Sequence, residues 1–254
     1  MTTDESCLEK TVRCPRHGEY KALLIPAGFV KRELWTRCPR CDDEKQQREQ
    51  RERSEARARE QLQSWRVESG LVGRYLETTF ATYVADTPAQ REVLAACSEY
   101  ASAPAKGWRP LWLVGLPGTG KTHLGAAMVL DSIERGRRAA MVNARQLVRT
   151  LRNTWRRDSE ETESDAIKRY ASVPLLVLDE LGVGSGSDAE ITQLYDVLDM
   201  RYQLCRPLVV ISNLLVTEMR AAVGDRLFDR LRENAKVLMC DWPSYRGRNH
   251  SKGE

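Results

Sequence analysis

The sequence predicts an α/β protein: a five-stranded parallel sheet with flanking helices, preceded by a small Cys/His-bearing module and a charged linker helix. Three observations carry this. Five short apolar runs, LWLVG (111–115), AAMVN (139–143), PLLVLDE (174–180), PLVVISN (207–213) and AKVLMCD (235–241), alternate with helical patterns, and strands joined by crossover helices make parallel sheets. Residues 42–66 are densely charged, of mixed sign, and lack Gly and Pro. Two pairs of metal-type side chains, Cys14/His17 and Cys38/Cys41, stand before them. The expected divisions are 1–41, a small module; 42–67, the linker helix; and 68–254, the main domain. A length of 254 residues suits one α/β domain plus an appendage.

The 40 basic and 36 acidic residues nearly cancel, so bulk charge does not mark a nucleic-acid binder and any such contact must be local. No apolar run reaches the about 18 residues of a membrane span, and no secretory pattern opens the chain. A cytoplasmic protein without membrane contact is expected. In that reducing compartment the seven cysteines are poor disulfide candidates. Clustered ones point to metal, and Cys97, Cys205 and Cys240 to small buried hydrophobes.

Residues 1–41 show little helical periodicity. Within them Cys14, His17, Cys38 and Cys41 form C-x₂-H-x₂₀-C-x₂-C, paired-knuckle spacing for a closed tetrahedral, structural zinc site. Pro15, Pro39 and Gly18 favour the two tight turns. Cys7 lies too far from Cys14 for such a turn and is left out. So short a segment cannot bury enough apolar surface alone, making zinc binding its folding energy. Leu23, Leu24, Ile25, Phe29 and Trp35 are plentiful for its size, and some are expected to form a partner-binding patch. Residues 42–66 place Glu44/Arg48, Glu49/Arg53 and Glu55/Arg59 at the favourable i,i+4 order, predicting a solvated lever helix with little apolar face before Leu62 and Trp65. RRDSEETESD (156–165) is polar enough to predict a loop.

The run Gly115, Leu116, Pro117, Gly118, Thr119, Gly120, Lys121, Thr122 satisfies G-x-x-x-x-G-K-[ST] between an apolar strand and a helix. Inward-turned N–H groups and a helix N-terminus there suit phosphate, with Lys121 reaching the β and γ groups, Thr122 offering a hydroxyl to Mg²⁺, and His123 alongside. ATP with magnesium is the implied ligand. Asp179 and Glu180 end the next apolar strand, placed to hold Mg²⁺ and to polarise the attacking water. Asn213 ends the following one and is suited to orienting that water. Arg226 and Arg230 stand four apart on one helical face, where a guanidinium could meet a neighbouring subunit's γ phosphate.

ARQLVRTLRNTWRR places Arg145, Arg149, Arg152 and Arg156 in one basic stripe beside Trp155. Basic groups tracking a backbone and an aromatic for stacking suit single-stranded DNA. Leu147, Leu151 and Trp155 also fall at i,i+4,i+8, so a core position for Trp155 stays open.

Together GLPGTGKT, LLVLDELG, ISN, LRNTWR, GDRLFDRLRE and the closing DWPSYRGR resemble, over about residues 68–250, the DnaC-type replicative helicase loaders among the AAA+ ATPases. The resemblance implies an ATP-dependent loader that binds a ring-shaped hexameric helicase, deposits it on single-stranded DNA and self-associates in a spiral, with hydrolysis as a release switch. It implies Asn213 as first sensor, Arg230 as trans-acting finger with Arg226 beside it, and Arg246 as a cis sensor. Arg152, Trp155 and Ser187 match DNA-contacting positions, although Ala189 replaces an expected aromatic. Two rivals remain: the ATPase subunit of a transposition system gripping double-stranded DNA, and a nucleotide-sensing DNA-binding adaptor with incidental hydrolysis.

Overall fold

The computed structural model describes residues 8–25, 34–103, 107–182 and 188–246. The chain divides into two compact units, 1–61 and 62–254.

In the first unit β1 (Glu9–Cys14) and β2 (Gly18–Ile25) form an antiparallel hairpin, and β3 (Leu34–Trp35) pairs with the end of β2. Gly18 closes the hairpin turn at φ +80°, a left-handed conformation that glycine adopts without strain. This hairpin is absent from the sequence reading because β1 is mostly polar and β2 gathers its aliphatic residues in one short run, Ala22 to Ile25, without sustained alternation. The only buried side chains among the unit's described residues are Cys14, Ala22 and Cys38, far too few for an apolar core.

Helix α1 (Pro39–Glu68) is as charged as expected and buries no residue. Its ion pairs differ from the expected set: Lys45 meets Glu49 and Arg48 meets Glu52. Glu44 turns instead to Arg16 and His17. The boundary between the units falls inside this helix; beyond it Leu62 and Trp65 pack partly into the second unit's core, and Glu68 pairs with Arg138.

The second unit is built on a five-stranded parallel sheet in the order β5-β6-β7-β4-β8: β4 (Leu111–Gly115), β5 (Ala139–Asn143), β6 (Leu175–Asp179), β7 (Leu208–Ser212) and β8 (Lys236–Cys240). β4, β6 and β7 are buried throughout, which is why they read as continuous apolar runs. Alternate residues feed two cores. Leu111 and Leu113 face one with α2 (Pro88–Ser102) and α3 (Lys121–Glu134). Trp112 and Val114 face the other, with α4 (Ala144–Asn153), α5 (Glu163–Ser172), α6 (Asp188–Gln203), α7 (Val216–Val223) and α8 (Asp225–Arg232).

Two expectations are corrected. The polar stretch 156–165 is not all loop: Thr162 caps α5 by accepting from the Asp165 N–H, and Glu163 lies in the first helical turn. Ser, Thr, Asp and Glu suit a helix start as well as a loop. Cys97 and Cys240 are buried as expected, but Cys205 is exposed in the turn after α6 at φ +50°.

Candidate functional site

The carboxyl ends of β4, β6 and β7 open on a cavity of about 520 Å³, lined by Pro117–His123, Asp179, Glu180, Asn213 and Arg246 among others. Parallel sheets bind ligands at this edge, and the volume suits a nucleotide. Gly115 ends β4 and Lys121 begins α3, so the predicted loop sits between strand and helix.

Lys121 is buried at 5% exposure. Its Nζ donates to the carbonyls of Gly115 at 2.8 Å and Leu116 at 2.6 Å, and burial holds its pKa below the ordinary lysine value. An ammonium so placed, beside the N-terminus of α3, fits an incoming phosphate. Asp179 is buried, which raises its pKa, while hydrogen bonds from Thr122 and the Glu180 N–H act the other way. That pairing of hydroxyl and carboxylate is a suitable donor set for Mg²⁺. Glu180 sits at φ +57° directly after β6.

Asn143, which ends β5, was missed by sequence reasoning. Its Nδ2 donates to Glu180 Oε2 at 2.5 Å, and its Oδ1 accepts the Arg145 N–H at 2.9 Å, capping α4. The signal was its place at the tip of a recognised strand, but its contact with Glu180 arises only from the pairing of β5 and β6, where Asn143 is in register with Asp179.

Arg145, Arg149 and Arg152 lie exposed on α4, with Arg156 just past its end. Arg152 pairs with Glu190 and Arg156 with Asp158. Leu147 and Leu151 are buried, but α4 ends at Asn153 and Trp155 is 60% exposed. The helical periodicity that would have made Trp155 a core residue stops before reaching it. Ser187 and Phe29 lie outside the described residues.

Arg226 and Arg230 are not among the cavity-lining residues. Arg226 stacks on Tyr195 and Arg230 on Tyr202, each at 4.3 Å, and Arg230 also pairs with Asp199 at 3.3 Å.

In the first unit the ligand atoms of Cys14, His17, Cys38 and Cys41 all lie within 4.8 Å of one another. His17 Nδ1 stands 3.8, 3.6 and 3.3 Å from the sulfurs of Cys14, Cys38 and Cys41, and the Cys14 and Cys41 sulfurs are 3.5 Å apart. A tetrahedron of zinc–sulfur length has edges of about 3.8 Å, so the four donors fit zinc. His17 Nε2 meets Glu44 Oε1 at 2.9 Å, the usual outer support of a ligating imidazole. Hydrogen bonding from the Arg16 N–H lowers the Cys14 thiol to about 6 despite burial acting the other way.

The strand, phosphate loop and helix, with paired carboxylates at the tip of β6, separated from β4 by β7 alone, define an AAA+ P-loop ATPase fold. The chain belongs to the family of IstB-like ATP binding proteins, whose model matches residues 43–253 and so begins after Cys41. Among curated proteins it is 31% identical over 179 residues to the replicative helicase loader DnaC of Buchnera aphidicola (subsp. Acyrthosiphon pisum), covering 70% of this chain and 73% of that one. To Escherichia coli K12 DnaC it is 29% identical over 181 residues, 71% of this chain and 74% of that one. A crystal structure of the DnaC helicase loader superposes with a TM-score of 0.60 at 20% identity, over 67% of this chain and all of that one. The replication initiator DnaA bound to AMPPCP and single-stranded DNA gives 0.59 at 21% identity, over 66% of this chain and 50% of that one. No helix among the described residues is long and apolar enough to cross a membrane.

Proposed function

We propose that this protein is a cytoplasmic, ATP-dependent loader that binds a ring-shaped replicative helicase and helps place it on single-stranded DNA, hydrolysis acting as the release switch. The helicase partner rests on the relatives named as helicase loaders. The DNA coupling rests on one observation: Asn143 caps the arginine-bearing helix α4 and at the same time holds the Glu180 carboxylate. DNA pulling on Arg145, Arg149, Arg152, Trp155 and Arg156 would shift that cap and free Glu180.

In this reading Lys121 leaves the Gly115 and Leu116 carbonyls to meet the β and γ phosphates. Thr122 and Asp179 would hold Mg²⁺, which neutralises charge developing on the transferred phosphoryl group. Glu180, once released, orients the attacking water with Asn213, and Arg246 contacts the phosphates from within the same chain. Arg230, leaving Asp199, and Arg226 would reach the γ phosphate of a neighbouring copy in a spiral assembly. Ser187 would add a DNA contact. Residues 1–41, folded around zinc by Cys14, His17, Cys38 and Cys41, are the helicase-holding handle, 42–67 the lever and 68–254 the engine.

Glu180→Gln tests the switch. Nucleotide and DNA binding should be retained, hydrolysis lost and the helicase left bound; release at the normal rate would favour the adaptor reading. The family description favours keeping transposition as the second reading. Co-purification of the full chain with a transposase and not a helicase, together with preference for double-stranded DNA, would establish it.

A further inference from the structure

The phosphate loop is held by donors outside its own motif. Trp242 Nε1 donates to the Thr119 carbonyl at 2.9 Å and the Tyr83 hydroxyl to the same oxygen at 3.2 Å. The Tyr245 N–H donates to the Gly118 carbonyl at 2.8 Å. Trp242 is buried and Tyr83 half-buried. These residues come from opposite ends of the second unit, 36 positions before and 123 positions after Thr119. The Thr119 hydroxyl proton is itself used within the loop, donating to the Leu116 carbonyl at 2.9 Å.

A planar trans peptide sends its N–H opposite to its C=O, and no cis peptide occurs among the described residues. Holding the Thr119 carbonyl therefore fixes the Gly120 N–H, and holding the Gly118 carbonyl fixes the Thr119 N–H. The support has no slack: a Cβ on Gly118 would collide with Ser244 Oγ, and one on Gly120 would lie 2.6 Å from Tyr83 Cε2.

We propose that Tyr83 and Trp242 are positioning residues for polyphosphate binding, their shared acceptor at Thr119 aiming the Gly120 N–H at the nucleotide's phosphates. This rests on the nucleotide reading of the loop and adds residues that the loop motif does not contain. Because both donors serve one oxygen, either can partly stand in for the other. Removing both leaves a carbonyl in a largely buried setting without a partner and the peptide free to rotate.

The test uses the full chain with Tyr83→Phe, Trp242→Phe and the double substitution, each of which keeps an aromatic ring and removes a donor. Affinity for ADP and for inorganic tripolyphosphate is measured calorimetrically, well below the nucleotide-free melting temperature, where a merely structural role would not move it. Each single variant should bind both probes about threefold more weakly and the double variant more than about tenfold. Tyr83→Phe removes only a hydroxyl, so it stands alone if Trp242→Phe does not fold, and unchanged tripolyphosphate affinity in it overturns the proposal. ADP weakened with tripolyphosphate unaffected also overturns it, by placing the contact at the base. A wild-type protein that binds neither probe overturns the nucleotide reading, and the proposal with it.

Discussion

The two units obtain their order from opposite sources. Residues 62–254 bury whole strands on both faces, with Trp112 and its neighbours fully enclosed, whereas residues 1–61 bury Cys14, Ala22 and Cys38 alone among their described residues. In the first case apolar area removed from water specifies the fold, at roughly 25 cal/mol per Å². In the second, four metal-type ligand atoms are gathered at one point, and in the proposed reading zinc held there takes over that task. An apolar sheet tolerates drift at its surface, while a four-ligand knot fails if one ligand goes, so the handle should be the part most open to selective destruction.

The largest effect should therefore come from removing metal. Chelation, or Cys38→Ser, should unfold the first unit, since structural zinc is worth about 10–16 kcal/mol in comparable small domains. The second unit's melting transition should remain in place. Limited proteolysis with metal analysis checks this, and a protease-resistant, metal-free first unit would break the contrast. Next in size, Trp112→Ala should cost the second unit about 3–5 kcal/mol by leaving a cavity beneath β4, read by denaturant unfolding, with zinc content unchanged.

A middle-sized effect is expected at the outer support of the metal. Glu44→Gln should weaken zinc binding about 10–100-fold, because the His17 imidazole loses its charged acceptor; competition with a chelator measures it. Trp155→Ala should weaken single-stranded DNA binding by about 1–3 kcal/mol while leaving the melting temperature unchanged, as its exposure requires. Smallest of all, Lys45→Ala should change thermal stability by no more than about 0.5 kcal/mol, since its partner Glu49 is equally solvated on α1.

Much of the second unit was legible because its information is local. Each buried strand is a contiguous apolar run, and the phosphate loop and Asp179–Glu180 are short strings at strand ends. The Cys14, His17, Cys38 and Cys41 cluster was legible for the same reason, as two tight pairs. What stayed hidden depends on pairing across the fold. Asn143 reaches Glu180 only because β5 lies beside β6, and Tyr83 and Trp242 meet at Thr119 from distant parts of the chain. Arg201 is a further case. From the sequence it reads as one more surface cation, yet it is fully buried, has its pKa lowered to about 9 by that burial, and donates to the carbonyls of Tyr170, Ala171, Val173 and Pro207. The β1–β2 hairpin was missed because β1 is mostly polar and the aliphatic residues of β2 fall in one short run, and the position of Trp155 could not be decided until the end of α4 was known.

The most direct measurement is ATP hydrolysis at one fixed protein concentration, with and without single-stranded DNA, in the wild type and in Asn143→Ser. Serine keeps the helix cap but is too short to reach Glu180. The expected result is a wild-type rate that rises on adding DNA, and a variant that hydrolyses at the raised rate without DNA. A wild type indifferent to DNA, or a variant with unchanged DNA dependence, would contradict the coupling of the α4 face to the hydrolytic carboxylate.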